Sequence, residues 1–229
     1  MQASAKELLY TYLGKRTGER VLSGLVKRGD GEKIHAVIWY CDLRGSTSLA
    51  ESMSLESFLG ILNVFFDCMA GAVLDHGGEI LRYIGDAALA IFPIGGTSKS
   101  LQEVCNPTEG ACERALTAAR DAYARIEALN RQRGNRGEPP LRFGLGLHVG
   151  EVMYGNIGVP GRLEFTVIGP AANEAARLEA LCKKLDQSIL ISWEFPRCFP
   201  DQMRSLGFHR LRGVSTPKEI FELLADNRI

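Results

Sequence analysis

Apolar positions recur along the chain with two spacings, and these predict an alternation of helices and strands. Apolar residues three to four apart mark two long helices, over 54–76 and 108–131, and a shorter helix over 171–184. Short apolar runs bounded by turn residues mark the strands, and residues 79–92 have the pattern of a tight hairpin. The predicted strands are 34–41, the two arms of the hairpin, 141–149, about 151–155, 163–168, about 188–191, 206–211 and 218–224.

The order of these elements indicates an α+β fold. From residue 34 onward the predicted order is strand, helix, two strands, helix and strand. This is the βαββαβ order of a ferredoxin-like sandwich, here with additional C-terminal strands, in which helices cover one face of a mostly antiparallel sheet. Residues 4–26 predict two short helices that are too small to bury a core of their own. We therefore expect a helical connector over residues 1–31 and one domain over residues 32–229.

Composition and charge limit the classes of function that the chain can have. With 229 residues and 45% hydrophobic content, the chain can form one sizeable core. Lys and Arg number 27, as do Asp and Glu, so no net charge attracts a nucleic acid polymer or an anionic membrane. No run approaches the roughly 18 apolar residues of a membrane span. The six cysteines include no C-x-x-C pair, which favours buried free thiols in a reducing compartment and a cytoplasmic location.

Two aspartates lie at the ends of apolar runs. Asp42 follows the run 35–41, and Asp86 lies at the predicted hairpin turn. Either residue alone is also favoured at a chain reversal on backbone grounds, which is the structural alternative. Their separation of 44 residues (86 minus 42) allows a strand, a helix and a return strand, which brings both carboxylates to one edge of adjacent strands. Two converging carboxylates predict a site for Mg²⁺ bound together with nucleotide phosphates.

Two further groups of polar residues are candidates for binding an anion. Asn173 and Arg177 lie one turn apart on the predicted helix 171–184, close to its N-terminus, where phosphate is favoured. Arg210 and Arg212 alternate in sequence and are therefore predicted on one side of a strand. A solvated helix face and a solvated strand edge are the respective alternatives.

Other ligand-binding motifs are absent or misplaced. The run Gly144-Leu145-Gly146 has the wrong spacing for a dinucleotide-binding loop, and it lies within a predicted strand rather than between a strand and a helix. No G-x-x-x-x-G-K-[ST] loop is present, and the four histidines are dispersed. These features exclude the common phosphate-binding loops and do not indicate a histidine metal site.

Seven runs occur in an order that belongs to one family. They are Cys41-Asp42-Leu43-Arg44-Gly45-Ser46-Thr47, Tyr83-Ile84-Gly85-Asp86, Gly146-Leu147-His148-Val149-Gly150-Glu151, Gly155-Asn156-Ile157-Gly158, Phe165-Thr166-Val167-Ile168-Gly169, Asn173-Glu174-Ala175-Ala176-Arg177-Leu178 and Leu211-Arg212-Gly213-Val214. Together they resemble the catalytic domain of class III adenylate and guanylate cyclases of the bacterial type, over about residues 35–224. The preceding stretch looks like the transducing connector that joins such domains to a sensor.

The resemblance implies a role for five residues. Asp42 and Asp86 would bind two Mg²⁺ or Mn²⁺ ions, with the carbonyl of Leu43 as a further ligand. One ion would lower the pKa of the ribose 3′-hydroxyl, and the other would hold the β- and γ-phosphates. Asn173 would orient the ribose, and Arg177 would stabilise charge on the α-phosphate as pyrophosphate leaves.

The implied substrate-binding residues depart from the family pattern. Arg82 stands where the family has the lysine that reads adenine, and Thr166 stands at the partner position, as is common in bacterial adenylate cyclases. Arg212 replaces the lysine that binds the terminal phosphates and keeps its charge. Residues 170–172 (Pro-Ala-Ala) replace the usual acidic-then-valine run before the helix. Because Arg82 is not the acidic residue that reads guanine, ATP is favoured over GTP as the substrate.

In this family each site lies at a dimer interface, so the resemblance implies a homodimer with two composite sites. The predicted function is adenylate cyclase, which converts ATP to 3′,5′-cyclic AMP and pyrophosphate by a two-metal mechanism. The alternatives are a nucleotide-binding regulatory domain without turnover and a guanylate cyclase. The connector is compatible with an upstream sensor domain in a longer protein.

Overall fold

The computed structural model describes residues 4–24, 27–95 and 107–224. The Gly- and Ser-containing sequence between Pro93 and Pro107 predicts a loop, and most of it, including Cys105, falls outside the described residues. The helices are α1 (Ala5–Leu13), α2 (Lys15–Leu22), α3 (Ser46–Glu51), α4 (Leu55–Asp75), α5 (Pro107–Asn135) and α6 (Pro170–Leu185), with 3₁₀ turns at Phe195–Arg197 and Pro200–Gln202. The strands are β1 (Gly31–Arg44), β2 (Glu79–Ile84), β3 (Ala87–Pro93), β4 (Arg142–Val159), β5 (Arg162–Ile168), β6 (Ile189–Ile191), β7 (Met203–His209) and β8 (Lys218–Leu223).

The strands form one sheet in the order β2-β3-β1-β4-β6-β8-β7, and β5 pairs with the far part of β4. The pair β4 and β6 is parallel, and the other pairs are antiparallel. Strands β4, β1, β3 and β2, joined through α4 and α5, have the strand order of a ferredoxin-like core. The predicted fold class is therefore confirmed, with β5 to β8 and α6 as additions to that core.

Helices cover both faces of the sheet rather than one, which corrects the prediction. Successive residues of β1 point to opposite faces. Trp39 and Cys41 pack with Phe65 of α4 in one core cluster, whereas Ile38 packs with Ala171 of α6 in another. The spacing of apolar residues shows that a helix has a buried side, but it does not show which face of the sheet that side covers.

Three strands differ from their predicted bounds. β1 continues past Asp42, so this residue lies inside the strand rather than at a chain reversal. β4 is a single strand of 18 residues, Arg142–Val159, because it pairs with β1 along most of its length and then with β5. β7 ends immediately before Arg210, so Arg210 and Arg212 lie in the following turn and do not share one side of a strand.

Among the described residues, helix α4 alone is long and apolar enough to cross a membrane by length and composition, which by itself does not indicate a membrane span. Its side chains Phe65, Met69 and Val73 are fully buried in the core between the sheet and α5. The hydroxyl of Ser54 accepts a hydrogen bond from the backbone N–H of Ser57 at 3.2 Å and caps the helix. A core helix passes the same length and composition test, and this one is packed as a core helix.

The described cysteines are free thiols, as predicted. Cys41, Cys68, Cys112 and Cys182 are buried, and Cys198 is partly exposed. Burial raises the pKa of Cys41, Cys112 and Cys182 to about 12, which keeps these thiols protonated and unreactive at neutral pH.

The N-terminal helices dock on the sheet through one buried polar cluster. Thr17 of α2 is buried, and its hydroxyl lies 3.2 Å from Glu79 Oε1 and 3.1 Å from the hydroxyl of Tyr154. The Tyr154 hydroxyl donates to Glu79 at 2.5 Å. The guanidinium groups of Arg16 and Arg20 lie over the Tyr154 ring, 5.3 and 5.0 Å from its centroid. These contacts attach α2 to β2 and β4, while the proposed domain boundary stays a prediction.

His148 is a buried histidine between β4 and α6. Its Nε2 lies 3.8 Å from a carboxylate oxygen of Glu174, and its Nδ1 lies 3.6 Å from one of Glu194. Burial, with smaller contributions from the charges of Lys218 and His35, lowers the pKa of His148 to about 4. The two carboxylates lie beyond hydrogen-bond distance, so burial decides the charge of the ring, which is neutral in the folded protein at neutral pH.

Acidification is expected to destabilise the protein through His148. The pKa of this histidine is lower in the folded protein (about 4) than in the unfolded chain (6.5). The stability that the neutral ring contributes is therefore fully present above pH 6.5 and is lost as the pH falls toward 4. Between pH 7 and pH 5 the free energy of unfolding should fall by about 1–2 kcal/mol from this group. Urea unfolding at both pH values measures the loss, which should be smaller in His148→Gln. Equal losses in the two proteins would assign the effect to other groups.

Candidate active site

Asp86 lies in the tight turn between β2 and β3. Gly85 and Asp86 alone join the two strands, and Gly85 has φ +64°, a left-handed conformation that favours glycine. The backbone carbonyl of Asp86 accepts a hydrogen bond from the N–H of Leu43 at 3.3 Å. The turn is therefore fixed against β1 beside Asp42.

Asp42 lies inside the sheet, where it pairs with Ala87 of β3 and Gly144 of β4. Burial is the largest cause that raises the pKa of Asp42 to about 7, followed by a side-chain hydrogen bond with Asp86 and the charges of Asp86 and Glu179. The structure thus brings Asp42 and Asp86 together, as their spacing in the sequence predicts. Both side chains are partly exposed, so a cation can reach the pair.

Glu179 is a third carboxylate near this pair, and sequence reasoning did not identify it. It lies on α6, directly over Gly144, where an added Cβ would come within 2.2 Å of its Oε1. Burial raises the pKa of Glu179, and the charge of Arg44 opposes that shift. The sequence did contain one indication of such a residue, Gly144, because a glycine inside a strand indicates the close approach of another group.

Asn173, Arg177 and Arg212 gather on the opposite side of α6. Asn173 and Arg212 are exposed, and a Cβ added at Gly213 would lie 3.4 Å from Nη2 of Arg177. Two residues along a helix correspond to a rotation of about 200°, so Arg177 points away from the direction in which Glu179 meets β4. Asn173 lies one turn before Arg177 on the same side of α6, so within one chain both residues face away from the aspartate pair.

Arg82 and Thr166 lie together where β2 approaches β5. Nε of Arg82 forms an ion pair with Glu164 at 3.0 Å, and both side chains are partly exposed. Thr166 lies two residues beyond Glu164 and therefore on the same side of β5. It is 2% exposed, and its hydroxyl has no hydrogen-bond partner among the described residues. Glu164 was not predicted as a site residue. Its spacing of two from Thr166 along a predicted strand indicated that the two side chains share one face.

The donor set at Asp42 and Asp86 fits a divalent cation. Two carboxylates that meet in this way can bind a hard cation between them. Within the described ranges no three His, Cys, Asp or Glu side chains converge as a metal-binding set. A cation bound to the aspartates would therefore complete its coordination with other oxygens, such as a backbone carbonyl or the phosphates of a nucleotide.

Comparisons with known proteins agree with these features. The family model described as "Adenylate and Guanylate cyclase catalytic domain" matches residues 31–219. An adenylate cyclase from Anabaena cylindrica is 36% identical over 155 residues, which cover 68% of this chain and 29% of that protein. The chain thus spans less than a third of the length of this relative.

Solved structures share the fold. The adenylyl cyclase CyaB from P. aeruginosa is 26% identical and aligns with a TM-score of 0.70, over 86% of this chain and 97% of that chain. The guanylyl cyclase Cya2 is 28% identical and aligns with a TM-score of 0.69, over 86% of this chain and 96% of that chain. The family match covers the sheet, the aspartate pair and α6. This chain belongs to the class III adenylate and guanylate cyclase catalytic domain family.

Proposed function

We propose that this domain is an adenylate cyclase, which converts ATP to 3′,5′-cyclic AMP and pyrophosphate. The observation that carries the proposal is the meeting of Asp42 and Asp86, with a side-chain hydrogen bond between them and a raised pKa on Asp42. A carboxylate pair of this kind is suited to divalent cations that also bind a triphosphate. Family membership supports cyclisation of a nucleoside triphosphate as the reaction class.

Mg²⁺ or Mn²⁺ ions, held by Asp42, Asp86 and the carbonyl of Leu43, would supply positive charge to the triphosphate and acidify the ribose 3′-hydroxyl. In the proposed reaction the 3′-oxygen gives its proton to solvent water and forms a bond to the α-phosphorus. The bond from the α-phosphorus to the oxygen that bridges to the β-phosphate breaks, and pyrophosphate leaves with that electron pair. The negative charges of the ionised Asp42 and Asp86 carboxylates would offset part of the positive charge of the bound cations during this displacement.

Residues of α6 and the following turn would orient the substrate and stabilise the developing charge. Asn173 would hydrogen-bond the ribose and direct its 3′-oxygen. Arg177 would donate to the α-phosphate, where negative charge develops, and Arg212 would bind the terminal phosphates bidentately. Removing one such donor typically costs about 3 kcal/mol of transition-state stabilisation.

Two copies of the chain are required in this proposal. Asn173 and Arg177 face away from the aspartates of their own chain, so a single copy holds the two halves of the site apart. A second copy related by twofold symmetry would bring its Asn173 and Arg177 to the Asp42 and Asp86 of the first. The same symmetry would form a second, identical composite site.

ATP is the proposed substrate because of the groups at the β2–β5 contact. The unpartnered hydroxyl of Thr166 can accept from the adenine amino group while Arg82 donates to the ring nitrogen N1. The name of the Anabaena relative supports the same choice. One observation favours GTP as a second candidate: Glu164, paired with Arg82, can accept from guanine N1–H while Arg82 donates to O6.

A mixture of two inactive variants tests the proposal. Asp42→Ala and Arg177→Ala are each expected to lose cyclase activity, because every site in either homodimer lacks one half. An equal mixture should recover about a quarter of the wild-type activity, since half of the dimers are mixed and each of these keeps one intact site of two. Products from ATP and from GTP with Mn²⁺ are separated by chromatography, and an excess of cyclic AMP is expected.

The outcomes separate the alternatives. Cyclic GMP as the main product would assign the domain to the guanylate cyclases. No recovery in the mixture, although the subunits exchange, would exclude composite sites. Nucleotide binding by the wild-type dimer without either cyclic product would identify a regulatory domain.

A further inference from the structure

The carboxylate of Glu179 occupies the position of a side chain opposite Asp42. Gly144 is the cross-strand partner of Asp42 in the β1–β4 pair and has no side chain. A Cβ added there would lie 2.2 Å from Oε1 and 3.2 Å from Cγ of Glu179. Directly opposed side chains on neighbouring strands have Cβ atoms about 4.5–5.5 Å apart. Helix α6 therefore delivers a carboxylate to the place where β4 would otherwise have placed its own side chain beside Asp42.

The charges around Glu179 are not balanced within the site. Arg44 lies two residues beyond Asp42 on the same side of β1, and its charge acts on Glu179. Its guanidinium donates to the carbonyl of Gln187, while its Nε is buried without a hydrogen-bond partner among the described residues. Three carboxylates, those of Asp42, Asp86 and Glu179, thus lie near the guanidinium of Arg44, whose cross-strand partner on β4 is a second arginine, Arg142. A net negative field remains where the cations of the proposed reaction would bind.

Glu179 does not act as a metal ligand in this arrangement. Within the part of the chain that the structure describes, no three acidic, histidine or cysteine side chains form a metal-binding set. The aspartates meet at the β1 strand and the β2–β3 turn, whereas Glu179 reaches them from α6 across Gly144. Its action on the site is therefore through charge and through the space it fills.

We propose that Glu179 is a positioning residue for the metal-binding aspartates. Its fixed negative charge, on the α6 side of Asp42, turns the carboxylate of Asp42 toward Asp86 and strengthens the attraction of the site for divalent cations. The positive charge of Arg44 acts on Glu179 and limits that attraction. The proposal rests on the proposed function, because it assigns Asp42 and Asp86 to cation binding.

A merely structural role for Glu179 leads to a different expectation. If Glu179 only balances the charge of the partly buried Arg44, loss of its charge lowers stability and leaves cation affinity unchanged. If it strengthens the cation site, loss of its charge weakens cation binding. Loss of the positive charge of Arg44 then has the opposite effect, because the remaining carboxylates attract the cation more strongly.

The test is Mn²⁺ binding to the whole chain without nucleotide, measured at pH 8 from the electron paramagnetic resonance signal of free Mn²⁺. Glu179→Gln, which keeps the shape of the side chain, is expected to weaken Mn²⁺ binding by at least about tenfold. Arg44→Gln is expected to tighten it. Glu194→Gln is the matched control, because Glu194 is also a partly buried acid with a raised pKa but faces His148, and it should bind Mn²⁺ as the wild type does.

Opposite shifts in the two variants would support the proposal, even if Glu179→Gln also melts at a lower temperature. Unchanged affinity in both variants would overturn it. If Glu179→Gln fails to fold, the Mn²⁺ affinity of Arg44→Gln alone tests the proposal. Weaker or unchanged Mn²⁺ binding by Arg44→Gln would then contradict it. Failure of the proposed function is a separate result: the wild type would bind Mn²⁺ with this dependence on Glu179 and yet form no cyclic nucleotide.

Discussion

Asp42→Asn is expected to lower cyclic nucleotide formation by at least about a thousandfold, because cation charge at the triphosphate supplies several kcal/mol of transition-state stabilisation. The same substitution should stabilise the metal-free protein. The folded pKa of Asp42 is raised from 3.8 to about 7, so its ionisation costs stability as the pH rises through this range. At pH 8 the gain in the free energy of unfolding on substitution should be about 1 kcal/mol, since solvent reaches this partly exposed position and screens the repulsion.

Activity and stability are measured on the same preparation, by product chromatography and by urea unfolding without metal. Asp67→Asn is the control, because Asp67 is an exposed carboxylate on α4 and should leave both quantities unchanged. Loss of activity together with loss of stability would contradict the assignment, since it would mean that Asp42 holds the fold together. An active variant would remove Asp42 from the reaction.

Gly146→Ala is expected to lower the free energy of unfolding by about 3 kcal/mol or more and to abolish activity with it. The added Cβ would lie 2.2 Å from the carbonyl oxygen of Ala175 and 2.7 Å from the backbone nitrogen of Glu179. Both are main-chain atoms of α6, so no change of rotamer can relieve the contact. The helix must shift, and with it Asn173 and Arg177.

Gly60→Ala provides the matched control for this prediction. Gly60 lies on the exposed side of α4, and a Cβ there meets nothing within 4 Å. The substitution should raise stability by about 0.5–1 kcal/mol, because glycine inside a helix is entropically unfavourable. Denaturant unfolding of both variants gives the comparison. A Gly146→Ala protein as stable as the wild type would show that α6 does not rest on β4 in this way.

The fold was predictable from sequence where local patterns decide it. Helical spacing and alternating apolar runs predict α4, α5 and the β2–β3 hairpin, and their order predicts the ferredoxin-like core. The pattern did not predict that β4 continues past Gly150, because this glycine resembled a turn when considered without its partner strand. In the structure it pairs with Ala36, and its missing side chain makes room for Ala171.

The site was predictable only in part, for the same reason. The meeting of Asp42 and Asp86 follows from strand order and turn chemistry, both of which are visible in sequence. Glu179 reaches Asp42 through the packing of α6 over a glycine, and Glu164 reaches Arg82 across two strands that are not paired. Contacts of this kind depend on how helices pack on the sheet and on how unpaired strands approach one another. The spacing of residues along the sequence does not predict them.

The row Gly144, Gly146 and Gly150 along β4 has a consequence for how variation in this protein should be interpreted. None of the three carries a side chain that could contact a nucleotide, yet a methyl group at any of them would meet α6: its main chain at Gly146, Ala171 at Gly150 and the end of the Glu179 side chain at Gly144. Selection on catalysis will therefore act on these positions as strictly as on residues that contact the substrate. Intolerance to substitution along this row therefore indicates where α6 packs on β4. It should not be interpreted as evidence that these residues contact a ligand.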